Sequence, residues 1–596
     1  MIIIKKILRL LTPEEKKEAC YVLGMILIMA LLDMLGVASI MPFVAVISSP
    51  EIIDTNIILN TAYISVNKYG NYTKVEFIFI LGILTFLILV LSLFFKALTV
   101  FFQTRFSLMK EYTIGRRLVT LYLNKPYSWF LTRNSADLSK NVLSEVNIVI
   151  ADILIPIMNI IAQSCVSVAI LLLLLFIEPM LALSVAFVLI LSYGIVYYFS
   201  KNFLEQIGQQ RTVVNQERYE AINEAFGASK EIKLGGLEHI YVNRFSKPAE
   251  IYAQNLSSAN LIGQLPRFAL EIITFGGMLL VILYLMIQNK SFASILPILS
   301  LYVLAGYRLM PAMQGIYRSV TQMKFAKSAL DVLLKEMKDP KKSFKKPSVK
   351  AIKLKKQISL NNVSYYYPLS KNKAIENISL SIEALSRVGF VGRTGGGKTT
   401  TMDIILGLLV PQEGTLKVDN KIIDKTSIKD WQSVIGYVPQ QIYLADDTVA
   451  ANIAFGIAPE KIDLGRVEEV ARASELHDFI TNNLPSKYST LVGERGVRLS
   501  GGQRQRIGIA RALYSKPTVL FLDEATSSLD TLTESSIMRS LKTIETDITV
   551  IMIAHRLSTV IECDKIFFFE DGKLVSQGTY NDLLEQNINF RLIKRL

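Results

Sequence analysis

Six long apolar stretches constrain this chain more than any other feature. They run over roughly 19–48, 77–102, 150–177, 180–203, 264–289 and 292–318. Each is long enough to cross a hydrocarbon layer as a helix. A chain of 596 residues that is 51% hydrophobic and 19% charged fits that reading and excludes a single soluble domain. The net charge of +14 would suit nucleic acid. The basic residues, however, cluster beside the apolar spans, so membrane lipid is the expected partner and nucleic acid is not. Cys20, Cys165 and Cys563 lie far apart with no metal or disulfide spacing, and three histidines exclude a His-rich metal site. The N-terminus is amphipathic and basic, and the first apolar stretch is too long for the core of a secretory signal.

The connections alternate in charge. The expected outer loops carry only Lys68, Lys74 and Lys290 as basic residues, whereas the inner segments 103–149 and 204–263 carry many. Both termini are therefore expected in the cytoplasm. Residues 1–18 read as one interfacial helix, with Ile2, Ile3, Ile4, Leu8 and Leu11 against Lys5, Lys6 and Arg9. Very short outer turns join the third span to the fourth and the fifth to the sixth. The second and third, and the fourth and fifth, are joined by long polar segments with helical patterning that should run on into the cytoplasm. The first outer loop, with Ile52, Ile53, Ile57, Ile58 and Leu59, reads as a short apolar helix at the membrane surface or as a plain surface loop. Residues 338–357 are lysine-rich, with Pro340 and Pro347, and form a linker that suits either an anionic leaflet or solvent.

The last third carries a different signal. Gly392-Arg393-Thr394-Gly395-Gly396-Gly397-Lys398-Thr399 fits the phosphate-binding loop at every fixed position. An apolar run, Arg387 to Val391, precedes it, and a helical run from Thr400 follows. Glycines let backbone N–H groups crowd around phosphate oxygens at a helix N-terminus. Lys398 would reach the β- and γ-phosphates, and the Thr399 hydroxyl would hold Mg²⁺. Val519 to Asp523 is an apolar strand ending in a carboxylate suited to Mg²⁺ through water, and Glu524 is the expected general base.

Leu499-Ser500-Gly501-Gly502-Gln503 lies shortly upstream of that strand. With this motif the chain resembles the ATP-binding cassette (ABC) family, whose signature is LSGGQ. The resemblance implies ATP and Mg²⁺ as cofactors, and a nucleotide held between residues 392–400 (Thr400 included) of one chain and Ser500, Gly501, Gly502 and Gln503 of its partner. It implies that Gln440 touches the metal and senses the γ-phosphate, that Tyr367 stacks on adenine, and that Asp530 belongs to the D-loop with Ser528 and Leu529. It also implies that His555 closes the site and that Gly493-Glu494-Arg495-Gly496 contacts the membrane part. The cytoplasmic turns match coupling helices near Tyr127–Asp137 and Ala228–Leu237.

Four ionisable positions stand out within the spans: Asp33, Lys96, Arg267 and Arg308. At about 1.5 Å per residue, Lys96, Arg308 and Arg267 come roughly 30, 24 and 33 Å from the outer ends of their spans. Three cations at similar depth would suit a lipid phosphate or pyrophosphate. Snorkelling of Lys96 and Arg308, and pairing of Arg267 with Glu271 at i+4, are the structural alternatives. Leu35 to Phe43, Pro266 to Glu271 and Ala305 to Pro311 look similar to bacterial lipid-linked oligosaccharide flippases. That resemblance makes Arg267 and Arg308 cavity arginines, with Lys96 at the third position.

The expected architecture is an α-helical six-span membrane domain of the ABC exporter type followed by an α/β phosphate-loop ATPase domain. Its parts are an interfacial helix over 1–18, the membrane domain over 19–337, the linker over 338–357 and the nucleotide-binding domain over 358–596. The expected function is a homodimeric translocase of the bacterial cytoplasmic membrane. It would use ATP hydrolysis to move a polyprenyl-pyrophosphate-linked oligosaccharide from the inner to the outer leaflet. An exporter of lipid A, drugs or peptides is the alternative, the peptide-processing type being disfavoured because no peptidase domain precedes the first span. An ATP-gated channel or regulatory receptor is the alternative of another class.

Overall fold

The computed structural model describes residues 2–177, 179–287, 292–337, 350–368, 370, 372–493, 496–524, 547–554 and 556–593. The chain divides into two compact units, Met1–Lys125 with Arg133–Ser343, and Pro126–Thr132 with Phe344–Leu596. His555, Asp530 with its neighbours Ser528 and Leu529, Glu494, Arg495 and linker residues 338–349 lie outside the described residues.

The first unit is helical. Its elements begin with α1 (Ile2–Leu10), α2 (Pro13–Ala38), α3 (Ile40–Ser48), α4 (Ile52–Thr55), α5 (Ile57–Asn67) and α6 (Lys74–Leu123). The single helix expected over 1–18 is two pieces. Thr12 caps α2 in a reciprocal box with Glu15, and Pro13 occupies the first turn, so the chain restarts there. Residues 13–18 thus belong to the first spanning helix. That span is itself broken at Ser39, between α2 and α3. Pro42 lacks the N–H that would bond the Ala38 carbonyl, and its ring crowds that carbonyl. The loop after the first span forms the short helices α4 and α5, with Ile57 and Ile58 of α5 83% and 79% exposed.

After α7 (Tyr127–Phe130), which belongs to the second unit, the first unit continues through α8 (Ser135–Lys140), α9 (Val146–Val149), α10 (Ile155–Ile177), α11 (Pro179–Gly227), α12 (Ser229–Gly235), α13 (Glu238–Ile287) and α14 (Phe292–Glu336). The segments expected to be coupling helices hold α7 with the start of α8, and α12. Among the described residues, Pro13–Ser48, Lys74–Leu123 and Ser135–Ile177 are long and apolar enough to cross a membrane. The other three expected spans fall on α11, α13 and α14. Two π-helical turns, Asn141–Glu145 and Ile150–Leu154, flank α9. At the first of them Glu145 forms a fully buried ion pair with Arg211 of α11, at 3.2 Å. Helices α11 and α14 meet at Gly208, where a Cβ would lie 2.1 Å from the Phe325 carbonyl oxygen. The Ser328 hydroxyl donates to the Gly208 carbonyl at 2.9 Å. A small residue with a hydroxyl opposite it allows this approach.

In the second unit β1 (Gln357–Tyr365), β2 (Ile375–Glu383), β4 (Glu413–Val418) and β5 (Lys421–Ile422) form an antiparallel sheet in the order β2-β1-β4-β5. The larger sheet has the order β10-β9-β3-β8-β7-β6. It comprises β3 (Arg387–Gly392), β6 (Ile435–Val438), β7 (Val519–Asp523), β8 (Thr549–Ile553), β9 (Lys565–Glu570) and β10 (Lys573–Gly578). All its pairs are parallel except β9 with β10. Strands β7 and β8 are buried throughout, as a parallel sheet covered on both faces requires. One cover is α15 (Lys398–Ile405), with α16 (Ile428–Gln432) beyond it. The other is α17 (Val449–Ile453), α18 (Leu464–Ala473), α19 (His477–Asn483) and α20 (Gly501–Tyr514). In register, Phe390 of β3 faces Ile553 of β8, and Ile553 faces Asp523 of β7. The carboxyl ends of β3 and β7 therefore lie on one edge, where open α/β sheets bind ligands.

A phosphate-loop cleft and a charged cluster among helices

The cleft at that edge has a volume of about 780 Å³. Residues 394–400 line it together with Tyr367, Lys373, Gln440, Glu524, Asp571 and Gly572. Strand β3 delivers the chain into the loop at Gly392, whose φ is +151°. A Cβ there would sit 2.0 Å from the Phe569 carbonyl oxygen, so only glycine fits. The helix starts at Lys398 rather than Thr400. The Lys398 ammonium folds back on its own loop, donating to the carbonyls of Gly392 at 2.7 Å and Arg393 at 2.9 Å. Burial pulls its pKa down, against the carboxylates of Glu524 and Asp523.

Asp523 ends β7 and is buried, and the Tyr437 hydroxyl hydrogen-bonds it. Burial first, then Asp523, pushes the Tyr437 phenol well above its usual range. Glu524 adopts a left-handed backbone with φ +49° and donates its N–H to the Ile553 carbonyl. This turns the side chain into the cleft, where the Gln440 amide donates to Glu524 Oε2 at 2.7 Å. Tyr367 is half-buried, packs edge-to-face on Tyr365 at 5.2 Å and hydrogen-bonds the Thr400 hydroxyl at 3.0 Å. Behind the loop, burial and then Asp523 push the Asp403 carboxyl up to about 6. Lys373, Asp571 and Gly572 line the cleft without having been singled out from sequence. Asp571-Gly572 is a plain turn signal between apolar strands, with nothing in it that points to phosphate.

Ser500 caps α20 through a box with Gln503, which presents the helix N-terminus with Gly501 and Gly502 in its first turn. These residues are not among the lining of the cleft. Arg511 anchors α20 by donating to the carbonyls of Tyr443 and Asn452, both at 2.8 Å, and burial lowers its pKa to about 10.

The four charged positions singled out in the spans divide into two groups. Arg267 donates to Glu271 at 2.9 Å along α13 and is half-exposed, the pair its spacing suggested. Lys96 of α6 and Arg308 of α14 converge on one carboxylate, Asp33 of α2, at 3.4 and 3.5 Å. The Ser92 hydroxyl donates to Asp33 at 2.7 Å. All three cations expected at similar depth have a carboxylate partner. Two of the three share a buried counter-ion from another helix, and the third pairs on its own helix.

A helical unit with membrane-length apolar helices, followed by a phosphate-loop α/β unit carrying LSGGQ, defines one half of an ABC exporter, and the chain belongs to the ABC transporter family. The family model described as "ABC transporter transmembrane region" matches residues 55–291, and that described as "ABC transporter" matches residues 375–527. The chain is accordingly a membrane protein and an ABC-type ATPase coupled to transport. The chain is 30% identical over 472 residues to an ATP-dependent lipid A-core flippase of Burkholderia thailandensis, covering 77% of this chain and 76% of that protein. A protein of the same name from Cupriavidus metallidurans is 29% identical over 469 residues, covering 78% of each. The solved structure of a bacterial Atm1-family ABC exporter with ATP bound has the same fold, with a TM-score of 0.78, 20% identity and 97% of each chain covered.

Proposed function

We propose that two copies of this chain form an ATP-driven flippase that moves a phosphorylated, sugar-bearing lipid across the bacterial cytoplasmic membrane, with both termini on the cytoplasmic side. The observation that carries the substrate class is the Lys96–Asp33–Arg308 cluster. Two cations and one carboxylate leave a net positive charge among spanning helices, which favours an anionic ligand. The named relatives support a lipid of the lipid A-core kind, and we place that reading first. The polyprenyl-pyrophosphate-linked oligosaccharide is the second reading, supported by the membrane segments Leu35–Phe43, Pro266–Glu271 and Ala305–Pro311. Both lipids join phosphate to sugar, so one cationic site suits either.

In the ATPase, Lys398 neutralises the terminal phosphates, and Gly392, Arg393, Thr394, Gly395, Gly396, Gly397 and Thr400 shape the cradle. Tyr367 stacks on the base. Among the described residues no group of three His, Cys, Asp or Glu side chains is placed to hold a metal. That suits Mg²⁺, which takes few protein ligands and relies on nucleotide phosphates and water. Thr399 and Gln440 would hold it directly and Asp523 through water, and the ion would offset the charge that develops on the phosphates. Glu524 accepts the proton of the attacking water. Ser500, Gly501, Gly502 and Gln503 complete the site across the dimer, Asp530 belongs to the D-loop, and His555 closes the site.

The test is flipping in proteoliposomes supplied with either fluorescent lipid A or a polyprenyl-pyrophosphate glycan, with and without ATP. ATP-dependent movement of one of them is the expected result. ATP-dependent movement of neither, by protein whose ATPase is intact, would overturn the reading.

A further inference from the structure

We infer that Asp33 is a built-in competitor of the transported anion. It holds Lys96 and Arg308 in place until a lipid-borne phosphate takes them over, and by reclaiming them it hastens release. The inference rests on the reading that these two cations meet a phosphorylated lipid.

Three observations carry it. First, the contacts are unequal. Ser92 holds Asp33 at 2.7 Å, whereas Lys96 and Arg308 stand at 3.4 and 3.5 Å. Tight charge-assisted bonds between nitrogen and carboxylate are about 2.7–2.9 Å. The carboxylate is anchored by the hydroxyl and the cations are held loosely. Second, the guanidinium is under-used. Arg308 Nε is buried and has no hydrogen-bond partner, although the planar fork is built to grip an oxyanion with two nitrogens. Third, exposure is graded. The Asp33 side chain is 0% exposed, Arg308 15% and Lys96 34%. An anion entering from the open side reaches the cations first, with Asp33 behind them.

The three helices α2, α6 and α14 each supply part of the cluster, so the occupant of the cations also governs how these helices are tied together. With Asp33 present, the net charge of the cluster is low enough for a bound phosphate to leave. Without it, two uncompensated cations would grip phosphate more tightly and slow each cycle.

Full-length protein in phosphatidylcholine nanodiscs is titrated with radiolabelled lipid A and, in a second arm, with undecaprenyl pyrophosphate. Uncharged undecaprenol and lipid-free inorganic pyrophosphate are the controls. Asp33→Asn keeps the shape and an acceptor for Ser92 but removes the charge. It is expected to lower Kd for the phosphorylated lipid that wild type binds by about tenfold. Binding of undecaprenol should be unchanged, flipping should slow, and Asp33→Glu should return both values toward wild type. A gain confined to inorganic pyrophosphate overturns the inference. If Arg308→Ala binds both lipids as wild type does, the anion site lies elsewhere, and the underlying reading falls together with the inference. If Arg308→Ala binds more weakly but Asp33→Asn binds no more tightly, the inference alone falls. Should Asp33→Asn lose its fold, Asp33→Asn/Lys96→Met is compared with Lys96→Met, which removes the same carboxylate beside one cation fewer. Tighter binding by the double variant supports the inference, and equal or weaker binding overturns it.

Discussion

Gln440 and Glu524 follow β6 and β7, which are neighbours in the sheet, and one hydrogen bond joins them. If Glu524 is the general base, Glu524→Gln removes the proton acceptor but keeps an oxygen for Gln440. ATP turnover is expected to fall by about 10²–10⁴ while nucleotide still binds. Near-normal steady-state hydrolysis by the purified variant would remove Glu524 from that role. A second expectation concerns thiols. Cys563 is buried beside Met552, and burial pushes its pKa up to about 12. Its thiolate is therefore scarce even at pH 9, and raising the pH from 7 to 9 should not expose it to maleimide. Cys563 should label only after denaturation, as peptide mapping would show. The residues that line the cleft from the glycine-rich loop were legible because their pattern is local: one contiguous loop supplies the glycines, the lysine and the hydroxyl. The partner of Arg308 was not. Its neighbours in sequence hold no acid within a turn, and the carboxylate that meets it comes from α2 through helix packing that no local pattern encodes. The Glu145–Arg211 pair was hidden for the same reason. Arg308→Ala is consequently a less isolated change than the sequence suggested, since it also leaves Asp33 with Lys96 as its remaining cation.

The elements obey two kinds of signal. Local ones are present in the sequence: Thr12-Pro13 starts α2 inside the single helix expected over 1–18, and Gly236, at φ +60°, closes α12. The break at Ser39 also had its cause in view, in Pro42, yet hydropathy alone joined α2 and α3 into one span. The π turn over Asn141–Glu145 carries no such mark; its Glu145 meets Arg211, far away in sequence. Packing between elements sets the next prediction. Gly208 lies where α11 meets α14, with the Phe325 carbonyl in the space of the missing Cβ. Gly208→Ala is expected to destabilise the protein by about 1–3 kcal/mol through overpacking. A fall in the thermal midpoint of detergent-solubilised protein checks it. An unchanged midpoint would mean that the two helices separate freely at this point.

At the scale of the whole molecule, the signature residues and the phosphate-binding loop of one chain do not line the same cleft. If each nucleotide is shared between two chains, Lys398→Ala and Ser500→Arg damage opposite halves of a site. Each variant alone should hydrolyse little ATP. In co-expressed mixed dimers one site carries both lesions and the other is intact, so random pairing should restore about a quarter of wild-type turnover. No recovery in mixed dimers isolated by two tags would argue against independent composite sites. The lengths of the helices have a mechanical meaning beyond assembly. Helix α6 has 50 residues without interruption; α13 is as long but holds Pro248 and Pro266. At 1.5 Å per residue that is a rod of about 75 Å, more than twice the roughly 30 Å hydrocarbon thickness. Such a rod is geared: a tilt of about 5° sweeps its far end through about 6 Å. Small displacements at one end therefore become movements as wide as a sugar ring at the other, with no hinge of its own required along the shaft.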